Sequence, residues 1–239
     1  MNKPNAWDYL RRGDPEQGIE LAREAYGHSK SPSHIMELGI AHLWTSDYKS
    51  AERHFQDAIR THPFTVSSFY EMAGAAAWCA DDPSKAVRYW QDGLKSQFAD
   101  AGVAISLPLL LFVASILRPS VFPRKEAEQI LKKQLENPRA ESWPGALAEF
   151  VLGQIDQGIL EQSCIGKRER TTLHRRWQAQ FFEDVFEFAR GNLGREVFRE
   201  LLRRAADTSQ PEWAEEGNFL TLLWSAEFFI ARHEAGKPG

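Results

Sequence analysis

The chain has 239 residues, of which 43% are hydrophobic and 26% charged, and its formal net charge is −4. This balance is typical of a globular protein with an ordinary core. The acidic charge argues against a general nucleic-acid binder, whose domain is normally basic throughout. Cys79 and Cys164 stand far apart in the sequence, so they supply neither a disulfide framework nor a CxxC metal motif.

The first residues have no apolar run that could serve as a secretory signal, which predicts a cytoplasmic protein. Gly13-Asp14-Pro15 predicts a turn that opens a helix, because proline is favoured at the first helical position. Gly18, Ala22 and Ala25 follow at helical spacing. The chain therefore begins, on this interpretation, with a helical hairpin.

The clearest pattern runs from residue 35 to residue 63. It combines small residues, which let two helices cross closely, with large apolar residues that pack around the crossing. The positions are Ile35, Leu38, Gly39, Ala51, Phe55, Ala58 and Pro63. This spacing resembles the tetratricopeptide (TPR) repeat, a 34-residue helix–turn–helix, with His42 where tyrosine is usual. We expect the small Gly39 and Ala51 at the helix crossing, and Phe55 in the gap toward the next unit.

The pattern recurs 35 residues later, where Gly74, Ala86, Trp90 and Gly93 take the places of Gly39, Ala51, Phe55 and Ala58. Residues 1–98 are therefore predicted to hold about three TPR units. We predict an all-α fold, a right-handed TPR-like solenoid of helical hairpins. Residues 99–239 are expected to continue the same solenoid as degenerate hairpins with a capping helix, since the terminal repeats of solenoids are commonly degenerate.

Seventeen uncharged residues, Ala101–Leu117, lie between Asp100 and Arg118. A membrane span needs about 20 apolar residues, and this run carries Pro108 near its centre. A helix that is buried on all sides inside a protein has the same composition. We interpret the run as a buried helix rather than a membrane span, with its use as an interface left open.

Beyond this run, hydrophobic periodicity and turn residues predict four helices, over 124–136, 144–153, 156–163 and 167–191. Val197, Leu201 and Ala205 are predicted to form the packing face of the next helix. A final amphipathic helix over 213–232 is expected to cap the stack.

The second half contains Trp143-Pro144, Phe150, Gly153, Trp177, Phe181, Phe182, Gly191-Asn192-Leu193, Trp213, Glu216, Phe219 and Glu227. Through these residues, the second half of the chain resembles the C-terminal part of a bacterial TPR lipoprotein family. That family acts as an adaptor for a periplasmic protease. The lipoprotein signal is absent here, so the membrane location and the protease role do not carry over. The resemblance implies a helical architecture and partner-binding work.

The seven histidines form no HExxH motif and no His/Cys pair at ligand spacing. The sequence GDPEQG at 13–18 lacks the Lys-Ser/Thr of a phosphate loop, and GxSxG does not occur. We therefore predict no catalytic residue, no metal site and no cofactor, and a protein that is not an enzyme.

In a TPR superhelix the first helix of each unit lines a concave groove. The candidate groove residues are Trp7, Arg11, Met36, Ile40, Leu43, Trp44, Glu71 and Trp78. Met36 and Ile40 stand where chaperone-binding TPR domains use Lys and Asn to clamp a carboxylate. An apolar groove suits a helix or hydrophobic segment of another protein. The alternative is that these residues pack against the next unit or the helix at 101–117.

A second candidate surface is basic. Residues 167–204 carry a net charge of +4, against −8 for the rest of the chain. The positive charges concentrate at the start of the long helix, at Lys167, Arg168, Arg170, His174, Arg175 and Arg176. Basic side chains there do not compensate the helix dipole. The segment is predicted either to dock an acidic partner or to be a solvated helix end with salt bridges.

The leading hypothesis is a protein that binds another protein or peptide stoichiometrically, as an adaptor or as an inhibitor such as a bacterial toxin-immunity protein. The alternatives are a peptide-responsive regulatory TPR protein and an assembly factor of a larger complex. We predict that the protein does not bind nucleic acid and does not span a membrane. Whether it forms a homo-oligomer is not decided by the sequence.

Overall fold

The computed structural model describes residues 5–12, 14–29, 31–62, 66–96, 101–137, 140, 143–209 and 225–237, and within these ranges the chain is all-helical, without a strand. Thirteen α-helices occur there: α1 (Ala6–Arg11), α2 (Pro15–His28), α3 (Pro32–Trp44), α4 (Tyr48–Thr61), α5 (Val66–Cys79), α6 (Pro83–Leu94), α7 (Ala101–Leu117), α8 (Arg124–Leu135), α9 (Gly145–Val151), α10 (Gln157–Ser163), α11 (Glu169–Ala189), α12 (Arg195–Ala205) and α13 (Ala226–Ala235).

Polar caps explain why the early helices begin where they do. Asp14, Ser31, Asp47 and Asp82 each accept a hydrogen bond from a backbone N–H in the first turn of the helix that follows. Such a bond satisfies a donor that the helix itself cannot pair. Proline follows the cap directly in α2, α3 and α6, where its missing N–H costs nothing.

Two of the turns between helices have the same backbone geometry, 35 residues apart. Ser46 (φ 63°) and Asp81 (φ 60°) both adopt the left-handed conformation, and each precedes an aspartate that caps the next helix. The amide of Asp47 donates to the carbonyl of His42 at 2.9 Å, and the amide of Asp82 donates to that of Ala77 at 3.0 Å. The sequence repeat is thus also a repeat of turn geometry.

The two helices of a hairpin touch at the predicted glycines. A methyl group at Gly39 would overlap the ring of Phe55, and one at Gly74 would overlap the indole of Trp90. The Phe55 ring also lies 6.5 Å from that of Phe69 on α5. The prediction that a small residue meets a large one within a hairpin, with the aromatic ring reaching toward the next hairpin, is confirmed here.

Consecutive helices pack against each other from α1 to α8, and α7 lies in the interior. Leu107 and the residues from Leu109 to Ala114 have no exposed surface, so the prediction of a buried helix is confirmed. No helix in the described ranges combines the length and the hydropathy that crossing a membrane requires.

The second half departs from the predictions at two helices. In α12 the buried side chains are Phe198 and Leu202, while Val197 is 53% exposed. The packing face is therefore rotated by one residue, about 100°, from the predicted one. The last described helix, α13, does not lie at the end of a stack. It packs on both α5 and α12 and so connects the two halves of the chain.

Several predicted features lie outside the described residues. They are Gly13, Pro63, residues 213–224 of the expected final helix, and within that segment Trp213, Glu216 and Phe219.

Candidate functional site

The predicted groove residues lie on α1, α3 and α5, and most of them are covered. Ile40, Leu43 and Trp78 are at most 1% exposed, and Trp7 and Met36 are each 6% exposed. Trp44 and Glu71 are half-buried. Arg11 lies at the last residue of α1, and its side chain is outside the described part of the structure.

The chain's own α13 covers the face that α3 and α5 present. The ring of Phe228 stacks on that of Trp44 with centroids 6.1 Å apart. The indole Nε1 of Trp78 donates to Glu234 Oε1 at 2.9 Å, and the thiol of Cys79 donates to the carbonyl of Phe229 at 3.4 Å. Burial raises the pKa of that thiol.

The buried carboxylate of Glu234 is held at the centre of this contact by Arg118. One guanidinium nitrogen, Nη2, donates to both carboxylate oxygens, at 2.8 and 3.0 Å. The same guanidinium lies 5.4 Å from the centroid of the Trp78 ring. Arg118 therefore joins the end of α7 to both α5 and α13 through an ion pair and a cation–π contact. In the sequence, Arg118 is distinguished only as the first charged residue after the uncharged run Ala101–Leu117.

The last turn of α13 is also anchored. Arg232 donates to the carbonyl of Trp44 at 2.9 Å and lies 4.5 Å over that indole. The carboxylate of Asp81 is 2.9 Å from Lys237 Nζ and 3.2 Å from His233 Nε2. The hydrogen bond from Lys237 is the main cause that lowers the pKa of Asp81.

These contacts correct the prediction of an open groove at Ile40, Leu43 and Trp78. All three side chains are buried within the chain, and α13 contacts the same face at Trp44, Trp78 and Cys79. The alternative interpretation, that these residues pack against the next unit or α7, agrees with the contacts of α5 with α6 and α7, and α13, from the far end of the chain, adds a further cover at Trp78. The physical reason is that α13 brings apolar and charged groups that match this face.

The basic segment at the start of α11 divides into two sets. Lys167, Arg168, Arg170 and Arg176 are exposed, and no carboxylate of the described residues lies within ion-pair distance of them. Exposed arginines elsewhere are often paired along their helix, as in the pairs Arg23–Glu20, Arg60–Asp57 and Arg203–Glu200.

His174 and Arg175 belong to the second set, which has structural contacts. The Nε2 atom of His174 lies 2.6 Å from Ser225 Oγ, and its ring stacks on Trp177. Burial lowers the pKa of His174 to about 4, so it is neutral at pH 7. Arg175 lies 5.5 Å over the ring of Trp143. Their inclusion in a solvent-facing surface is therefore corrected, because contacts within the chain hold both side chains.

Two isoleucines close to the basic segment along the chain are exposed, and no sequence pattern selected them. Ile159 on α10 is 48% exposed, and Ile165 in the loop before α11 is 68% exposed. The loop is fixed to α11, since the amide of Gly166 donates to Thr172 Oγ1 at 2.9 Å. These exposed residues lie close together in sequence at the start of α11, and we call them the exposed basic patch: Ile165, Lys167, Arg168, Arg170 and Arg176.

No group of three His, Cys, Asp or Glu side chains in the described part of the chain could hold a metal ion. Both cysteines are buried and unpaired. No protein-family model matches this sequence, and no curated protein matches it significantly.

Proposed function

We propose that the chain is a non-enzymatic, TPR-like helical-repeat protein that binds an acidic partner protein through the exposed basic patch, as an adaptor or stoichiometric inhibitor. The observation that carries the proposal is the set of four exposed cations without a carboxylate partner among the described residues, next to the exposed Ile165. A surface of this kind suits a protein interface, where charge selects the partner and a central apolar side chain is desolvated.

The TPR-like architecture is supported by the 35-residue recurrence of both the glycine–aromatic contacts and the left-handed turns. Consecutive helices from α1 to α8 pack against one another, as they do in helical-repeat proteins, and α13 adds a contact from the far end of the chain. Binding on an outer surface also agrees with the covering of the α3–α5 face by α13, because that face is occupied in this structure.

The test is a charge reversal of the patch. The triple variant R168E/R170E/R176E changes three exposed side chains and is expected to leave the fold intact. The unaltered chain serves as bait to capture partners from cells that express it, and the captured protein is then purified. We expect its affinity for the triple variant to be at least about tenfold weaker, and its affinity for the unaltered chain to fall as salt rises.

The matched control is K125E/K132E/K133E on α8, where three exposed lysines allow the same change of net charge. A partner that binds the patch specifically should bind this control with nearly the affinity of the unaltered chain. Equal binding by the patch variant and the unaltered chain would contradict the proposed site. Equal weakening by both triple variants would show only a general effect of net charge and would also count against it.

A further inference from the structure

Two histidine rings stack on each other in the hairpin of α3 and α4. The rings of His42 and His54 have centroids 5.3 Å apart and an interplanar angle of 22°. The ring of Tyr26 on α2 lies 6.3 Å from that of His54 in an edge-to-face arrangement. His42 is 8% exposed and His54 is half-buried. The pair therefore lies in the contact among α2, α3 and α4, and it shares no residue with the exposed basic patch.

The surroundings of the pair oppose a positive charge. Burial is the main cause that lowers the pKa of both rings, and the pKa of His54 falls to about 4. Arg23 on α2 and Arg53 on α4 lower the pKa of both rings further. Arg23 shares its charge with Glu20 at 2.6 Å, whereas Arg53 has no carboxylate within ion-pair distance among the described residues. Both rings are therefore neutral at pH 7.

The carboxylates near the pair favour one proton more than two. Asp47, in the turn between α3 and α4, places its Oδ2 atom 3.1 Å from Nδ1 of His42. Asp57 on α4 raises the pKa of His54, but a protonated His42 lowers it more, and Asp57 already forms an ion pair on its own helix. The helix α5, which also packs on α4, carries Glu71 as its only carboxylate. A second proton would place two imidazolium rings face to face at 5.3 Å.

We propose that the stacked histidine pair is an acid-sensitive latch: the neutral rings hold α2 against the α3–α4 hairpin, and protonation of both rings separates them. The physical cause is repulsion between two imidazolium rings in a partly buried contact that also faces two arginines. A histidine whose pKa is lowered from 6.5 in the folded chain contributes stability at neutral pH, and this contribution is lost as the pH falls from 6.5 toward 4. This inference goes beyond the proposed protein-binding function and does not depend on it.

Amide hydrogen exchange of the full chain at pH 7.5 and pH 5.0 tests the latch, with the rates corrected for the intrinsic effect of pH. We expect the protection factors of α2 to fall by about 30-fold between these pH values, because a His54 pKa that is lowered from 6.5 to about 4 predicts this factor. An NMR titration of the ring protons should place the midpoint of His54 well below 6.5.

Two variants separate the effect of charge from that of packing. His54→Phe keeps a ring next to Tyr26 and His42 but binds no proton, so the fall in α2 protection should shrink to less than about threefold. Arg53→Gln removes an exposed charge and should raise the midpoint of His54 and reduce the fall. The control His28→Gln removes an exposed histidine from the end of α2 and should show the full fall.

Three results would contradict the latch. The first is α2 protection that does not change between pH 7.5 and pH 5.0. The second is an equal fall in His54→Phe and the unaltered chain, and the third is a His54 midpoint at or above 6.5. If His54→Phe does not fold, Arg53→Gln decides, since an unchanged midpoint and an unchanged fall in that variant also contradict the latch. None of these results bears on the protein partner, whose binding is measured with the patch variants.

Discussion

At the scale of single residues, the most unusual groups are two buried carboxyls. Asp184 on α11 is 6% exposed and Glu227 on α13 is 1% exposed. The amide of Gln180 donates to Asp184 at 3.0 Å, and that of Gln178 donates to Glu227 at 3.3 Å. Burial raises the pKa of both, and that of Asp184 reaches about 6.

This burial predicts a pH-dependent effect of Asp184→Asn. A carboxyl whose pKa is raised from 3.8 to about 6 contributes stability at low pH, and this contribution is lost as the pH rises through that window. At pH 7 the ionised carboxylate therefore lowers the free energy of unfolding by about 2–3 kcal/mol, at 1.36 kcal/mol per pKa unit. Asparagine keeps an oxygen that accepts from Gln180 but carries no charge.

Urea unfolding of the variant and the unaltered chain at several pH values checks this prediction. Asp184→Asn should be the more stable protein at pH 7.5, and its advantage should shrink as the pH falls from 6 toward 4. Comparing the two proteins at each pH removes the opposite contribution of His54 and His174. Burial lowers the pKa of each histidine to about 4. The stability that the two neutral rings contribute to the folded chain is therefore lost as the pH falls from 6.5 toward 4. An advantage that does not vary with pH would contradict the assignment.

At the scale of helices, the glycines distinguish positions that look alike in the sequence. Gly39 on α3 faces the ring of Phe55, whereas Gly27 on α2 has no atom within 4 Å of the place where a methyl group would stand. The TPR-like spacing predicted the close approach at Gly39. No pattern in the sequence showed that Gly27 is free of such a neighbour, since this depends on where the adjacent helices lie.

The same substitution at these two sites should therefore change stability in opposite directions. Gly39→Ala forces the ring of Phe55 to move within a packed hairpin, at a cost of about 1–3 kcal/mol. Gly27→Ala should stabilise the chain by about 0.5–1 kcal/mol, because alanine is the better helix former. Thermal and urea unfolding measure both. A Gly39→Ala variant as stable as the unaltered chain would show that the hairpin does not pack as described.

At the scale of the whole molecule, α13 joins the two halves of the chain. Its Phe228 ring contacts Trp44 on α3 and Trp177 on α11, with centroids 6.1 and 6.3 Å away. Helical-repeat proteins normally make contacts between neighbours only. Here one helix connects elements that are almost 190 residues apart in the sequence, as the hydrogen bond from Arg232 to Trp44 also shows.

A chain held together in this way should unfold cooperatively. Phe228→Ala removes a fully buried ring and should cost about 3–5 kcal/mol, while tryptophan fluorescence and circular dichroism still report a single transition. Val197→Ala, at a 53% exposed site, is the control and should change stability by less than about 0.5 kcal/mol. Two separate transitions in the unaltered chain would show that α13 does not couple the halves.

The sequence by itself determined the helical class, the hairpins of the first half and the interior position of α7. These features depend on local signals: aspartate and serine caps, prolines at first helical positions, paired glycine and aromatic residues, and a long uncharged run. The basic segment at the start of α11 was also visible in the sequence, as a local concentration of charge.

Only the tertiary structure showed that α13 packs against the apolar face of α3 and α5. α13 contacts Trp44 on α3 and Trp78 on α5, and Arg118 and Glu234 pair across 116 residues of sequence. It also separated the exposed arginines of the basic segment from His174 and Arg175, which contact Ser225 and Trp143. Such contacts depend on how distant helices meet, and periodicity within one helix carries no information about that.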